Sequence, residues 1–147
     1  MDKVIENTKS TYQDYICLFK IGVFYCAYNK DAYIMSYLFN YKMRDKREEK
    51  EVGFPLNSID KIRERLKQEK INYIIVETKP ECKIVEKVNL TSADKYNKIY
   101  VKARNHINLK VRLEALNKAL VDMLENDEKN FKEVLGIIEE IIYNEDE

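Results

Sequence analysis

The sequence predicts an α+β protein: a mixed β-sheet flanked by helices, followed by a C-terminal helical hairpin. Three observations predict it. Tyr15–Val23 and Ile71–Glu77 are short apolar runs with the length and the aliphatic and aromatic content of buried strands. Asp31–Asn40 and Ser58–Lys70 repeat apolar residues at helical spacing. The last third carries Leu- and Ile-rich stripes at spacings of three and four.

Residues 1–13 are a polar lead that reads as a short helix. Tyr15–Val23 then rises to Gly22, where glycine permits backbone angles closed to other residues. Phe24 and Tyr25 stand at or near the strand end, where an aromatic is either core or presented outward. Asp31 suits the N-cap of the next helix, whose apolar stripe is Ala32, Met35 and Leu38–Phe39. Tyr41, Met43 and Asp45 alternate with Lys42, Arg44 and Lys46, an edge strand entering a charged hairpin over Asp45–Lys50. Glu51–Phe54 returns as a strand. Asn57 or Ser58 caps the helix through Lys70, with Ile59, Ile62 and Leu66 on one face. Ile71–Glu77 is the central strand. Cys82, Ile84, Val88 and Leu90 share one face of a last strand, with Glu86 the exception.

Thr91 or Ser92 caps a helix in which Ala93, Tyr96, Tyr100, Ala103 and Ile107 line up. Leu109, Leu113, Leu116, Leu120 and Leu124 form a second stripe, at spacings of 4, 3, 4 and 4. At about 100° per residue the two stripes differ in direction by roughly a right angle or more. Either the helix breaks at Asn105–Asn108, or one long helix changes partner there. The second stripe is set to pair with Phe131, Val134, Leu135, Ile138, Ile141 and Ile142 of the last helix. Asn126 and Asp127 are the stop and start of that tight hairpin. A hairpin this short leaves much of its apolar stripe uncovered, so homo-oligomerisation through Leu109–Leu124 and Phe131–Ile142 is expected. The expected division is an α/β domain over 1–90 and a helical extension over 91–147.

The order of motifs adds a family. Leu18–Ile21 leads into Gly22-Val23-Phe24-Tyr25-Cys26, then come Asp31-Ala32 and Gly53-Phe54-Pro55. This resembles the N-terminal, mismatch-contacting domain of the MutS mismatch-repair proteins. There an apolar strand ends in Gly-Asp-Phe-Tyr-Glu, a helix opens with Asp-Ala, and a Gly-Val-Pro or Gly-Ile-Pro turn precedes the next helix. Ser58–Lys70, Ile71–Thr78 and Lys83–Leu90 continue in register, so the likeness covers residues 12–90. The chain has no Gly-x-x-x-x-Gly-Lys-Ser/Thr, and its length leaves no room for the family's ATPase or clamp. The expectation is that one domain, standing alone.

The resemblance implies a site. In the family the Phe of Phe-x-Glu stacks on a mispaired base from the minor groove, and the Glu two positions on hydrogen-bonds that base. Here Phe24 holds the wedge position and Tyr25 follows it. Cys26 stands where the family has Glu, and Val23 where it has Asp. An apolar wedge kinks duplex DNA by entering a base step, but a thiol cannot replace the carboxylate. The alternative is that Phe24 packs in the core or on a partner.

Charge and composition bound the rest. Net charge is zero, yet Lys95–Lys118 holds seven basic residues and one acid, while Ala119–Glu147 holds two basic residues and ten acids. Such asymmetry marks either a nucleic-acid contact beside an acidic appendage or two helices that neutralise each other. Lys42, Arg44, Lys46 and Arg47, together with Lys95, Lys98 and Lys102, are the candidate phosphate contacts, which give affinity without reading sequence.

Three scattered cysteines and one histidine form no zinc motif and no nucleophile–base pair, so neither a metal, a cofactor nor an enzyme is expected. Reduced thiols and a mixed-charge N-terminus without a signal core point to the cytoplasm, and the Lys-interrupted run Tyr15–Tyr28 is too short to span a membrane. Two functions follow. One is a non-catalytic module that binds DNA or RNA weakly and favours distorted duplex. The other is a protein-interaction or assembly module that has lost DNA binding.

Overall fold

Residues 2–144 are described by the computed structural model. They divide into two units, one ending at Ile107 and the other beginning at Asn108. The first unit runs through α1 (Lys3–Thr11), β1 (Ile16–Ile21), β2 (Phe24–Tyr28), α2 (Lys30–Phe39), β3 (Arg44–Lys46) and β4 (Glu49–Pro55). A 3₁₀ turn (Leu56–Ser58), α3 (Ile59–Gln68), β5 (Tyr73–Glu77), β6 (Lys83–Val88) and the start of α4 (Ala93–Asn126) follow. The strands form one sheet in the order β3-β4-β2-β1-β5-β6, in which β1 and β5 are parallel and the other neighbours antiparallel. The fold is therefore α+β with a mixed sheet.

Alternation along each strand builds two cores. Leu18, Ala27, Val52, Phe54, Tyr73 and Ile75 face Met35 of α2, Leu66 of α3 and Ile99 of α4. Cys17, Phe19, Ile74 and Val76 face Ile5 of α1, with Tyr12 and Tyr28 at the margin. This second cluster leaves β3 and β4 out, and there the same face carries Arg44, Lys46 and Glu51.

One buried polar node ties the layers together. The Asp31 carboxylate, 1% exposed, accepts the Tyr96 hydroxyl at 2.6 Å, the Cys17 amide at 3.1 Å and the Lys9 ammonium at 3.0 Å. Lys9 also donates to the Tyr15 carbonyl at 2.7 Å. Burial raises the Asp31 pKa, and Lys9 and the hydrogen bonds oppose that shift. Asp31 is thus not the cap of α2: Asn29, with φ 52°, holds that position, and Asp31 turns inward.

Two further expectations are corrected. Phe24–Tyr28 is a strand of its own, not only two aromatics at the end of the preceding one. Side chains from both of its faces enter packed layers, so the polar alternation that marks a half-exposed strand is missing. A bulge in β6 breaks the common face proposed for Ile84 and Val88: Ile75 pairs with Glu86 but Val76 with Ile84, so Val85 is the extra residue. Ile84 and Cys82 therefore join the α1 side, whereas Val88 joins the other side and Glu86 meets the Arg63 Nε at 3.1 Å. Of the two possibilities left open at Asn105–Asn108, the structure has the second: α4 is one long helix that runs unbroken through them.

The second unit holds the rest of α4 and α5 (Glu128–Tyr143). Asp127 caps α5, its carboxylate accepting the Asn130 amide. None of its described residues is buried.

Candidate nucleic-acid interface

The β1–β2 connection is a two-residue turn, Gly22-Val23, because Ile21 pairs directly with Phe24. Gly22 has φ 63°, the angle that tight hairpin turns demand and glycine supplies without strain. The turn pushes Val23 and Phe24 outward, to 68% and 47% exposure. On the far side Phe24 pairs with Pro55, the first residue past the Gly53-Phe54 step.

Strand alternation then sorts the neighbouring site residues. Phe24, Cys26 and Tyr28 point to the α1 side of the sheet. Tyr25 points to the other and packs on Phe54, ring centroids 5.6 Å apart, so it does not join Phe24. Cys26 is 8% exposed and sits opposite Gly53. Burial first, then the nearby Glu51 charge, raises the Cys26 pKa, so its thiol stays protonated and a poor nucleophile.

Glu51 is a carboxylate that sequence reasoning missed. It is 4% exposed, pairs across from Tyr28, and is held by the Arg44 Nη2 at 2.9 Å and the Lys46 Nζ at 3.8 Å. Burial pushes the Tyr28 hydroxyl pKa up, and the Cys26 and Glu51 charges push it further. The charged face of β3–β4 is therefore a folded ion-pair cluster, not a bare basic stripe. Its signal in the sequence was the alternation Arg44, Lys46 against Glu49, Glu51 around a hairpin.

An open groove of about 590 Å³ runs along this face. Ile21, Tyr28, Lys46, Arg47, Glu51 and Lys79 line it, so the structure adds Lys79 to the predicted cations. Lys42 is exposed just before β3. Lys95, Lys98 and Lys102 belong elsewhere. They sit on α4, whose Tyr96, Ile99 and Ala103 pack on the opposite face of the sheet. Phe24 and the β3 hairpin share one side of the sheet but stand at opposite ends of β2, since Phe24 pairs with Pro55 whereas Arg44 pairs with Glu51, the partner of Tyr28; the α4 lysines are on the other side. Among the described residues no group of three His, Cys, Asp or Glu side chains is placed to hold a metal ion, and no helix is long and apolar enough to cross a membrane.

The frame is thus an α+β one, with an aromatic raised at a hairpin and a Gly-Phe-Pro step beside it. The family model for MutS domain I matches residues 1–102, and the chain belongs to that family. MutS domain I is a DNA-binding, mismatch-recognition domain and is non-catalytic. A search of curated proteins found no match. The matched stretch reaches past Leu90 into α4, and so takes in Lys9, Asp31 and Tyr96, the node that fastens α1, α2 and α4 to the sheet.

Proposed function

We propose that this protein is a non-catalytic nucleic-acid-binding module that meets a duplex with Phe24 and the β3 hairpin, binds it weakly, and discriminates mismatches little. The observation that carries this reading is the contrast within one strand face. The wedge position is half exposed at the end of β2, and the position that holds the family's acceptor is a buried thiol. The wedge can reach a base step, but the side chain two positions on is a thiol and not a carboxylate that would accept a hydrogen bond. Arg47, Lys42 and Lys79 supply phosphate contacts, and Arg44 and Lys46 supply less, because Glu51 already neutralises part of their charge.

Mobility shifts with matched and mismatched duplexes test this. With about three phosphate contacts, affinity should fall about 40-fold between 50 and 200 mM salt, with matched and mismatched duplexes within tenfold of each other. Absence of binding to DNA and RNA at low salt would overturn it. The second reading, an assembly module without DNA contact, would then stand, and the uncovered α4–α5 hairpin favours it.

A further inference from the structure

We infer that the α4–α5 hairpin is a self-association element whose apolar face is covered by the same hairpin of a second copy of this chain. Two helices of 19 and 16 residues cannot bury a core alone. Here only Leu120, Met123, Phe131, Val134 and Ile138 are even partly shielded. Eleven large apolar side chains of the unit stand exposed among the described residues, most of them by half or more. That is on the order of 1,000 Å² of apolar surface, above the few hundred Å² a monomer normally shows and above the roughly 800 Å² that each partner gives to a stable interface.

The pattern along the helices names the occupant. Leu109, Leu113, Leu116, Leu120 and Met123 repeat at 4, 3, 4 and 3, and Phe131, Leu135, Ile138 and Ile142 at 4, 3 and 4. These are heptad spacings, which present one seam for helix-on-helix packing. The charges of α4 are self-complementary: Lys110 and Arg112 lie at its Asn108 end and Asp122 and Glu125 at its turn end, whereas α5 carries Glu128 and Glu133 beside Lys129 and Lys132 and Glu139 and Glu140 at its far end. Two hairpins placed head to tail set α4 against α4 with opposite charges facing at each end. A second copy is therefore matched along α4, both in apolar spacing and in charge.

The test uses the whole chain and needs no DNA, so it stands or falls apart from the binding proposal. Light scattering at tens of micromolar should give about twice the 17.6 kDa chain mass. Hydrogen exchange should show amides over 113–138 losing protection about tenfold or more on dilution, while Tyr73–Glu77 stays unchanged. Leu116→Asp and Ile142→Asp, both at seam sites exposed in one copy, should each give the single-chain mass, and Leu116→Met should not. A wild-type mass of one chain at tens of micromolar would overturn the inference. So would hairpin protection that does not change with concentration, which decides the matter even if the Asp variants fail to fold.

Discussion

Phe24 and Cys26 stand two residues apart on one face of β2, the first 47% exposed and the second 8%. The difference comes from their cross-strand neighbours. Phe24 is at the hairpin end, beside Ile21 and Pro55, where the sheet stops. Cys26 lies one pleat further in, beside the Arg44, Lys46, Glu51 cluster that closes over it. A strand of period two thus presents the wedge and seals the acceptor position.

Replacing the wedge should separate the two parts of binding. Phe24→Ala removes a half-exposed ring, so stability should change by no more than about 1 kcal/mol. Affinity for a mismatched or flexible duplex should drop several-fold in a mobility shift. Affinity for a fully matched duplex should stay within about twofold, because phosphate contacts carry it. Equal loss on both substrates would mean that Phe24 is not a wedge.

The basic groups should also come apart, because they lie on opposite faces of the sheet. Arg47→Ala should weaken matched and mismatched binding alike and reduce the salt slope by about one unit. Lys98→Ala, on the α4 layer, should leave both unchanged. A larger effect from Lys98 than from Arg47 would move the docking surface to α4.

Much of this fold was legible because its strongest elements are local. The apolar runs of β1 and β5, the stripe of α3 and the Asn126-Asp127 stop signal are written in consecutive residues. The misses are tertiary. β2 is packed on both faces and so lacks alternation. The β6 bulge depends on how β5 pairs with it. Asp31 looks like a helix cap until Lys9, 22 positions earlier, and Tyr96, 65 positions later, are brought to it. At the site, the motif order singled out Phe24, Tyr25 and Cys26, but nothing local showed that Tyr25 turns into the core or that Glu51 is buried against Arg44.

The Asp31 node should govern stability. Asp31→Ala strands the Lys9 ammonium and the Tyr96 hydroxyl and should cost about 3–5 kcal/mol. Urea unfolding at neutral pH measures it. Burial, the largest cause, holds the Asp31 pKa above its unfolded value. A group shifted that way contributes its full stability below the unfolded pKa, about 3.9, and loses it as pH rises through the folded value. Asp31→Asn cannot ionise, so the stability of the wild type relative to it should decline from about pH 4 toward neutrality. A difference that grows with pH would show that the Lys9 ion pair outweighs burial.

Restoring the family's acceptor needs two substitutions, not one. Cys26→Glu puts a carboxylate beside Glu51, and both would draw on Arg44. Like charges that close disfavour ionisation of one of them, so the single variant should be less stable than wild type and should bind DNA no more selectively. Adding Glu51→Gln removes the competing charge and leaves Arg44 to hold the new carboxylate. The double variant should keep the fold and gain a preference for mismatched over matched duplex of more than about tenfold, worth roughly 1.4 kcal/mol. Phe24→Ala in that background should abolish the gain, because the acceptor acts only on a base that the wedge has displaced. A double variant that folds, binds and shows no preference would mean that this face cannot bring wedge and acceptor to the same base. A wild-type chain that already prefers a mismatch by more than tenfold would mean that another residue supplies the contact, and the assignment of the missing function to Cys26 would be wrong.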